Sequence, residues 1–159
     1  MDIRIRTARS DDYEALCEVF EEGDSLHRDA LPQVFRTPKG PVRARQYIER
    51  ILDDENAALF VAEHGDRVVG AVHIFLREAP DIPIMVPRRY AVIDNIVVRQ
   101  SVRRHGVGRA LLRQAHRWAR EAGAKQVELN VWEFNREAIT FYEKQGYTRA
   151  SRRMWSALE

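Results

Sequence analysis

The stretch RRHGVGRALL, residues 103–112, decides the fold and draws attention to the beginning of one helix. Arg103, Arg104 and His105 come directly before two glycines and a strongly helix-forming run. The first turn of a helix exposes unpaired backbone N–H groups and the positive end of the helix dipole. The three basic side chains add to that positive potential instead of relieving it. The segment therefore predicts a binding site for an anion.

The elements on either side of this turn predict an α/β domain. An apolar strand over 91–98 comes before the turn, a helix over 107–122 follows it, and a strand over 126–132 comes next. A strand, a helix and a parallel strand joined in this way form a right-handed βαβ crossover. Upstream, the β-rich runs ALFVAE and RVVGAVHIFL predict an antiparallel hairpin.

The remaining segments complete the order β-α-α-β-β-β-α-β-α-β. They are a first strand around Ile3 and Ile5, helices over 11–22 and 41–53, a loop over 23–40 that contains glycines and prolines, a helix over 135–145 and a last strand over 152–158. We therefore expect an α/β fold with a mixed, mostly antiparallel central sheet, helices on both faces and one βαβ crossover.

The composition indicates one globular domain over residues 1–159. The chain is 45% hydrophobic and 31% charged, and its length is enough to bury a proper core. A net charge of +2 is too small for a general nucleic-acid binder, and no apolar run is long enough to span a membrane. The charged N-terminus has no signal-peptide pattern. The single cysteine, Cys17, suits a reducing compartment, so we expect a cytoplasmic protein with Cys17 packed in its core.

Three designs place glycines between a strand and a helix to hold phosphate groups. The P-loop pattern G-x-x-x-x-G-K-[ST] is absent. The dinucleotide pattern G-x-G-x-x-G is matched at Gly106 and Gly108 but has Leu111 in its third place. Glu128 lies about 20 residues on, where a ribose-binding acid is expected, so a nicotinamide dinucleotide stays an alternative ligand. The third design is R-x-x-G-x-G, which begins at Arg103.

A second pattern lies downstream, in the stretch LNVWEFNREAITFYEKQGY. It fits N-x-x-A-x-x-x-Y-x-x-x-G at Asn135, Ala138, Tyr142 and Gly146. Together with the R-x-x-G-x-G turn before it, this order of motifs resembles the GNAT superfamily of N-acetyltransferases. The resemblance is clearest over 91–147, and it implies the acyl-coenzyme A N-acyltransferase fold of that family.

The resemblance implies acetyl-coenzyme A as co-substrate, and we expect no metal. In this family the glycine turn takes the pyrophosphate, which assigns to it Arg103, Arg104, His105, Gly106, Val107, Gly108 and Arg109. The strand before the turn offers its backbone to the pantetheine arm through Ile96, Val97 and Val98, with Asn135 nearby. Glycines allow close approach of the backbone and arginines add charge-assisted hydrogen bonds to phosphate, so the physics of the turn agrees. The five histidines show no metal-ligand spacing.

The same resemblance places Tyr142 near the sulfur of the coenzyme, as proton donor to the leaving thiolate. A free thiol has a pKa of about 8.5 and a free tyrosine one of about 10, so this transfer is mildly unfavourable between the free groups. A primary amine arrives protonated and needs a base. Asp94, a carboxylate in an otherwise apolar strand, is our first candidate, and His27, His73 and Glu128 are the reserves. The alternatives are that Tyr142 is a core aromatic and that Asp94 is paired with an arginine.

The loops over 23–40 and 77–90 are expected to form the acceptor pocket, with His27 and Tyr90 as the candidate substrate-binding residues. Both loops mix acidic and basic side chains. We expect direct transfer of an acetyl group, within a ternary complex, to a primary amine of a small molecule. A protein N-terminal acetyltransferase is the alternative within the family, and a non-catalytic coenzyme A-binding sensor is the alternative of a different class. A homodimer is left open.

Overall fold

The computed structural model describes residues 1–159 and shows a five-stranded sheet between two layers of helices. The strands are β1 (Arg4–Thr7), β2 (Ala57–His64), β3 (Arg67–Glu78), β4 (Arg89–Val98) and β5 (Val127–Leu129), and the helices are α1 (Tyr13–Ala30), α2 (Arg45–Asp53), α3 (Val107–Glu121) and α4 (Arg136–Lys144). The strands neighbour one another in chain order; the first three pairings are antiparallel and β4 pairs with β5 in parallel. The expected mixed sheet with its βαβ crossover is confirmed.

The two layers of helices bury opposite faces of this sheet. On one face, α1 and α2 pack Leu16, Phe20 and Ile48 against the strands. On the other face, α3 contributes Leu111 and Ala115, because its apolar side chains recur every three or four residues and form one stripe. No helix of the protein combines the length and the apolar character that crossing a bilayer requires.

One extra residue interrupts the pairing of β3 with β4. His73 lies opposite Asn95 and the next residue, Ile74, lies opposite Ile93, so Asp94 has no partner on β3. A bulge of this kind bends the strand and changes the direction of the side chain at that point. β4 pairs with β5 only over the three residues that precede the bulge, so the sheet opens between these two strands beyond it.

The first helix and its neighbours differ from the expected boundaries. α1 continues beyond residue 22 to Ala30, so the expected loop over 23–40 is helical in its first part. Gly23 continues the helix because it faces the sheet, where a Cβ atom would lie 3.6 Å from Cγ2 of Val97. α2 begins at Arg45 instead of 41. Cys17 is half-buried, which corrects its expected place in the core.

The end of the chain differs most from expectation. β5 ends at Leu129, three residues earlier than the strand expected there. The predicted last strand over 152–158 is wrong, because residues 148–159 contain no helix or strand and form no backbone–backbone hydrogen bond. We call residues 148–159 the tail. The sheet therefore ends at β5, with one edge of that strand unpaired.

Candidate active site

The opening between β4 and β5 leaves backbone groups of β4 without a neighbouring strand. The Arg99 N–H donates to a carbonyl on the β3 side at 2.9 Å, and the Val97 carbonyl also points toward β3, 3.0 Å from where a Cβ of Gly70 would lie. Alternate residues of a strand direct their N–H and C=O groups to opposite edges. Ile96 and Val98 therefore direct theirs into the opening, whereas Val97, the third residue predicted to meet pantetheine, is engaged with β3.

The glycine turn bends sharply into the N-terminus of α3. Arg104 has φ +66° and Gly106 has φ +81°, so two of three consecutive residues are left-handed. A left-handed conformation is costly for a residue with a Cβ, and Arg104 is the only such residue in the chain. No side chain caps α3, so no side-chain acceptor takes the free N–H groups of its first turn. This arrangement suits an anion.

The basic side chains of the turn are not neutralised by neighbouring acids. Arg103 Nε–H donates to the Val98 carbonyl at 3.1 Å, and His105 Nδ1–H donates to the Arg103 carbonyl at 2.9 Å. Arg104 and Arg109 are exposed. None of the three arginines forms an ion pair with a carboxylate, although eleven ion pairs occur elsewhere in the protein. The positive charge at this helix end therefore stays available to an external anion.

The first turn of α3 also anchors α4. Val107 is buried in the core and fixes the beginning of α3. A Cβ atom on Gly108 would lie 3.4 Å from Cζ of Phe141 and 3.7 Å from Cγ2 of Val98. Gly108 thus allows α4 to approach the turn and the open edge of β4 together. The residue after Phe141 is Tyr142, so this contact sets where the predicted proton donor lies.

Asn135, predicted near the pantetheine, begins α4. Its side-chain oxygen accepts a hydrogen bond from the Ala138 N–H at 3.2 Å, which makes it the N-cap of the helix. The spacing from Asn135 to Ala138 in the second motif therefore has a structural cause. The side-chain amide N–H groups of Asn135 are not used in that cap.

Tyr142 lies between two other aromatic rings and keeps a free hydroxyl. Its ring centroid is 5.3 Å from that of Phe141 and 5.6 Å from that of Tyr147. Burial raises the pKa of Tyr142 to about 12. Its hydroxyl has no hydrogen-bond partner in the protein. Every fully buried side-chain polar atom has such a partner, so the Tyr142 hydroxyl is accessible to solvent. By contrast, the Tyr147 hydroxyl is hydrogen-bonded to Nε2 of His116 at 2.7 Å.

Asp94, the bulged residue, is joined to His73 on the face of the sheet that α1 and α2 cover. A carboxylate only accepts, so His73 Nδ1–H donates to Asp94 Oδ2, at 3.3 Å. This hydrogen bond lowers the pKa of Asp94 and outweighs burial, which acts in the opposite direction. Asp94 is thus ionised at neutral pH and half-exposed, whereas His73 is buried.

A small cavity adjoins this pair. Besides Asp94 and His73 it is lined by Phe20, Arg43 and Tyr47 from α1, α2 and the segment before α2. Arg43 stacks on the Phe20 ring at 4.5 Å and lowers the pKa of Asp94, but forms no ion pair with it. The alternative that Asp94 is paired with an arginine is therefore wrong. Sequence reasoning missed Arg43 and Tyr47 because neither belongs to a motif.

The other acceptor candidates lie elsewhere. His27 is in α1, where its Nδ1–H donates to the Gly23 carbonyl at 2.7 Å. Tyr90 lies at the beginning of β4 beneath the Arg88 guanidinium, 4.4 Å from it. Neither residue lines the cavity beside Asp94. Glu128, a reserve base, accepts a hydrogen bond from Arg88 at 3.2 Å and is therefore already paired.

His27 belongs instead to a group of aromatic residues that the sequence did not single out. Its ring lies 5.5 Å from those of Phe35 and Phe134, and Phe35 lies 5.7 Å from Trp132. We call His27, Phe35, Trp132 and Phe134 the aromatic cluster. It joins the end of α1 to the segment between β5 and α4. The only available signal was the closeness of Trp132 and Phe134 to the second motif.

Comparisons with known proteins agree with this arrangement. The model of the acetyltransferase (GNAT) family matches residues 20–147. YhfO of Bacillus subtilis, an uncharacterized N-acetyltransferase, is 24% identical over 145 residues, which cover 91% of this chain and 89% of YhfO. A solved structure of a mutant BH1408 protein from Bacillus halodurans has a TM-score of 0.93 at 22% identity, with 98% of this chain and 99% of that chain covered.

A second solved structure contains a ligand. It is AAC(6')-Iy in complex with the bisubstrate analogue CoA-S-monomethyl-acetylneamine, with a TM-score of 0.77, 17% identity, and coverage of 100% of this chain and 99% of that chain. At these identities the two solved structures establish the fold alone. The family match spans most of the chain, including both motifs and the opened strand. The chain therefore belongs to the acetyltransferase (GNAT) family and is an N-acetyltransferase.

Proposed function

We propose that this enzyme transfers the acetyl group of acetyl-coenzyme A to a primary amine of a small molecule, by direct attack within a ternary complex. One observation carries the proposal. Gly108 lies 3.7 Å from Val98 at the opened edge of β4 and 3.4 Å from Phe141, measured from the position of its absent Cβ. An anion site, a free strand edge and the helix that carries Tyr142 therefore adjoin one another.

The glycine turn fits the pyrophosphate of the co-substrate. The N-terminus of α3 offers free N–H groups, and Arg104 and Arg109 carry charge that no carboxylate of the protein neutralises. Both features favour a phosphate group, the arginines through charge-assisted hydrogen bonds. Ile96 offers its backbone groups to the amides of the pantetheine arm, and Val98 offers its N–H, because the Val98 carbonyl already accepts a hydrogen bond from Arg103. The co-substrate supplies a thioester, whose acyl carbon is the electrophile.

Tyr142 is the proposed proton donor to the leaving sulfur. With a pKa of about 12 it keeps its proton at neutral pH, and its hydroxyl is not engaged with another residue. Its pKa exceeds that of a free tyrosine, so the transfer is less favourable than between the free groups. The same burial disfavours a thiolate formed beside it and reduces that difference. General-acid catalysis of this kind contributes about 10²–10⁴ in rate.

Asp94 is the proposed acceptor of the proton that the amine loses. A lysine-like amine has a pKa of about 10.4 and arrives as an ammonium ion, which the ionised carboxylate attracts. The ammonium ion first gives one proton to Asp94, directly or through water, which frees the lone pair of the nitrogen. As the nitrogen then forms its bond to the acyl carbon and the C–S bond breaks, Tyr142 gives its proton to the sulfur. The second proton that the nitrogen loses returns through water to the Tyr142 oxygen. His73 holds the carboxylate in place through its Nδ1–H.

A small-molecule acceptor is supported by the size and charge of the site. The cavity beside Asp94 is small and contains both a carboxylate and the Arg43 guanidinium. The bisubstrate analogue in the AAC(6')-Iy structure joins coenzyme A to acetylneamine, a small amine-bearing molecule. The free Tyr142 hydroxyl disfavours a non-catalytic coenzyme A sensor, because a protein that only binds has no use for a proton donor.

The test is incubation with acetyl-coenzyme A and a panel of amines, with free thiol as the readout. The panel contains neamine, diamines, amino acids and peptides with a free N-terminus. We expect thiol release with a small amine and no acetyl group on the protein when the amine is omitted. Release with peptides alone would establish the N-terminal acetyltransferase. Binding without release would establish the sensor, and affinity for NAD would revive the dinucleotide alternative.

A further inference from the structure

Two opposite charges line the cavity beside Asp94 without pairing with each other. One is Asp94 itself, from β4, and the other is Arg43, from the segment before α2. The hydrogen bond from His73 is the main cause of the lowered pKa of Asp94, and the Arg43 charge lowers it further. The two charges are therefore near each other, yet they form no ion pair. The cavity thus offers one anionic and one cationic group to a molecule that enters it.

Three contacts hold Arg43 in place. Its guanidinium donates two hydrogen bonds to Asp24, at 2.7 and 3.3 Å, and stacks on the Phe20 ring at 4.5 Å. The Tyr13 hydroxyl donates to the Arg43 carbonyl at 2.7 Å. The Arg43 side chain is 19% exposed, compared with 49% for Arg45, two residues on. A side chain fixed in this way loses little conformational entropy when it binds a ligand.

Arg43 keeps hydrogen-bonding capacity beyond these contacts. A guanidinium has five N–H groups, and the pairing with Asp24 uses two of them. The Arg43 Nε–H has no partner in the protein, and no fully buried side-chain polar atom lacks one, so this N–H is accessible to solvent. Arginine N–H groups form charge-assisted hydrogen bonds with carboxylates. Arg43 therefore has donors left for an acidic group of a ligand.

Tyr47 supplies a second donor in the same cavity. Its side chain lines the cavity, is 36% exposed, and forms no hydrogen bond with the protein through its hydroxyl. Burial raises the pKa of Tyr47, the Asp94 charge raises it further and the Arg43 charge lowers it, so Tyr47 lies near both charges. A phenol that keeps its proton donates a hydrogen bond to an anion.

We propose that the acceptor is a small amino acid, whose carboxylate binds Arg43 and Tyr47 while its amine faces Asp94. This inference rests on the proposed function, because it assigns the substrate class of the same acceptor site. In this complex the acceptor carboxylate lies beside Arg43 and its ammonium beside Asp94, so that each charge meets one of opposite sign. A diamine would instead direct its second ammonium toward Arg43, and like charges brought together are unfavourable. Arg43 is then the residue that determines acceptor specificity.

The test compares acceptors that differ only in the acidic group. They are the common amino acids, β-alanine and γ-aminobutyrate, each measured beside its carboxamide and beside the amine that lacks the carboxyl group, with free thiol as the readout. Arg43→Gln removes the charge and keeps a polar side chain, and Arg43→Lys keeps the charge. Arg45→Gln is the matched control, because Arg45 also stacks on a ring, that of Tyr13, and pairs with an acid, Glu14, but does not line the cavity.

We expect the wild type to prefer an acid over its carboxamide by at least about tenfold in kcat/KM, as for a hydrogen bond between charged groups. Arg43→Gln should remove most of this preference, Arg43→Lys should keep part of it, and Arg45→Gln should leave it unchanged. Tyr47→Phe, which keeps the ring, should lower it about three- to tenfold. Each enzyme is measured with the same two acceptors, so the difference in pKa between their amines cancels when enzymes are compared.

The outcomes separate this inference from the proposed function. Equal kcat/KM for acids, carboxamides and simple amines, or a preference for diamines, would overturn the inference and leave the proposed function intact. So would a preference for acids that Arg43→Gln keeps in full, because another group then binds the carboxylate. Thiol release with none of the small amines would overturn the proposed function and this inference with it. The comparison of acceptors with the wild type needs no variant, so it decides the matter even where Arg43→Gln does not fold.

Discussion

A Cβ atom on Gly108 would lie 3.4 Å from Cζ of Phe141, the residue directly before Tyr142 in α4. The first turn of α3 and the helix that carries the proposed proton donor therefore meet at Gly108, where a Cβ atom would already be in van der Waals contact with the ring. The anion site and the acid are coupled through this contact. A change at Gly108 acts on both, which decides how its effects must be measured.

Gly108→Asp is expected to weaken acetyl-coenzyme A binding by at least about tenfold, because it places a like charge beside the pyrophosphate. It should also lower the melting temperature, since the larger side chain displaces Phe141. Gly108→Ala is the control that adds one methyl group without charge, and it should bind nearly normally. Calorimetry measures the affinity. Unchanged binding in a folded Gly108→Asp protein would remove the turn from the coenzyme site.

Arg104→Asn should separate binding from stability. It removes a guanidinium from the turn, so affinity for acetyl-coenzyme A should fall about three- to tenfold, which corresponds to the net contribution of one ordinary hydrogen bond, as suits an exposed site. Asparagine tolerates the left-handed conformation better than arginine, so the melting temperature should stay equal or rise. Arg117→Asn removes the same charge from the exposed face of α3 and should leave affinity unchanged. Equal loss in both variants would indicate a general charge effect.

Tyr142→Phe should lower kcat by about 10–10³-fold while the KM for acetyl-coenzyme A changes little, because the lost interaction belongs to the transition state. Tyr147→Phe is the matched control. It removes a hydroxyl that is bonded to His116 instead of free, so it should lower stability and leave kcat nearly unchanged. Steady-state kinetics with the true acceptor measures both. A Tyr142→Phe enzyme that keeps half the wild-type kcat would establish Tyr142 as a core aromatic alone.

Asp94→Asn should lower kcat/KM for the amine by about 10–10²-fold, since it removes the proton acceptor and keeps the shape of the side chain. His73 is a positioning residue, and His73→Ala should shift the pH profile. The hydrogen bond from His73 lowers the pKa of Asp94, so without it the acidic limb of kcat/KM moves to higher pH. His73→Gln keeps a hydrogen-bond donor, so it should return the acidic limb of kcat/KM to its wild-type pH. An acidic limb at the same pH in all three proteins would show that Asp94 is not the titrating group.

The glycine turn before α3 could be predicted from sequence because its signal is local. Glycine at 106 permits the left-handed conformation that begins α3, and the basic residues before it are adjacent in the chain. The order of elements could be predicted for the same reason, from the spacing of apolar residues and from the glycines that lie between the elements. Asn135 and Ala138 could be found as a motif, although their spacing proves to be that of a helix cap.

What sequence reasoning missed depends on partners far away in the chain. Gly23 was assigned to the loop over 23–40, but it continues α1 and packs against Val97 of β4, and only tertiary contact decides this. The pair of His73 and Asp94 joins two strands, and no local pattern indicates which residue of β4 is bulged. For 152–158, the strand propensity was visible in the sequence but the absence of a neighbour in the same sheet was not.

Because of the bulge at Asp94, the gap between β4 and β5 depends on the number of residues in β4 and not on which residue stands at the bulge. Replacing Asp94 changes the chemistry of the site but leaves the gap, because any side chain there is still one residue too many for the ladder with β3. Removing that residue would straighten β4 and allow it to pair further along β5. A point substitution at Asp94 therefore leaves the opening between β4 and β5 in place, whereas deletion of this one residue is expected to close it.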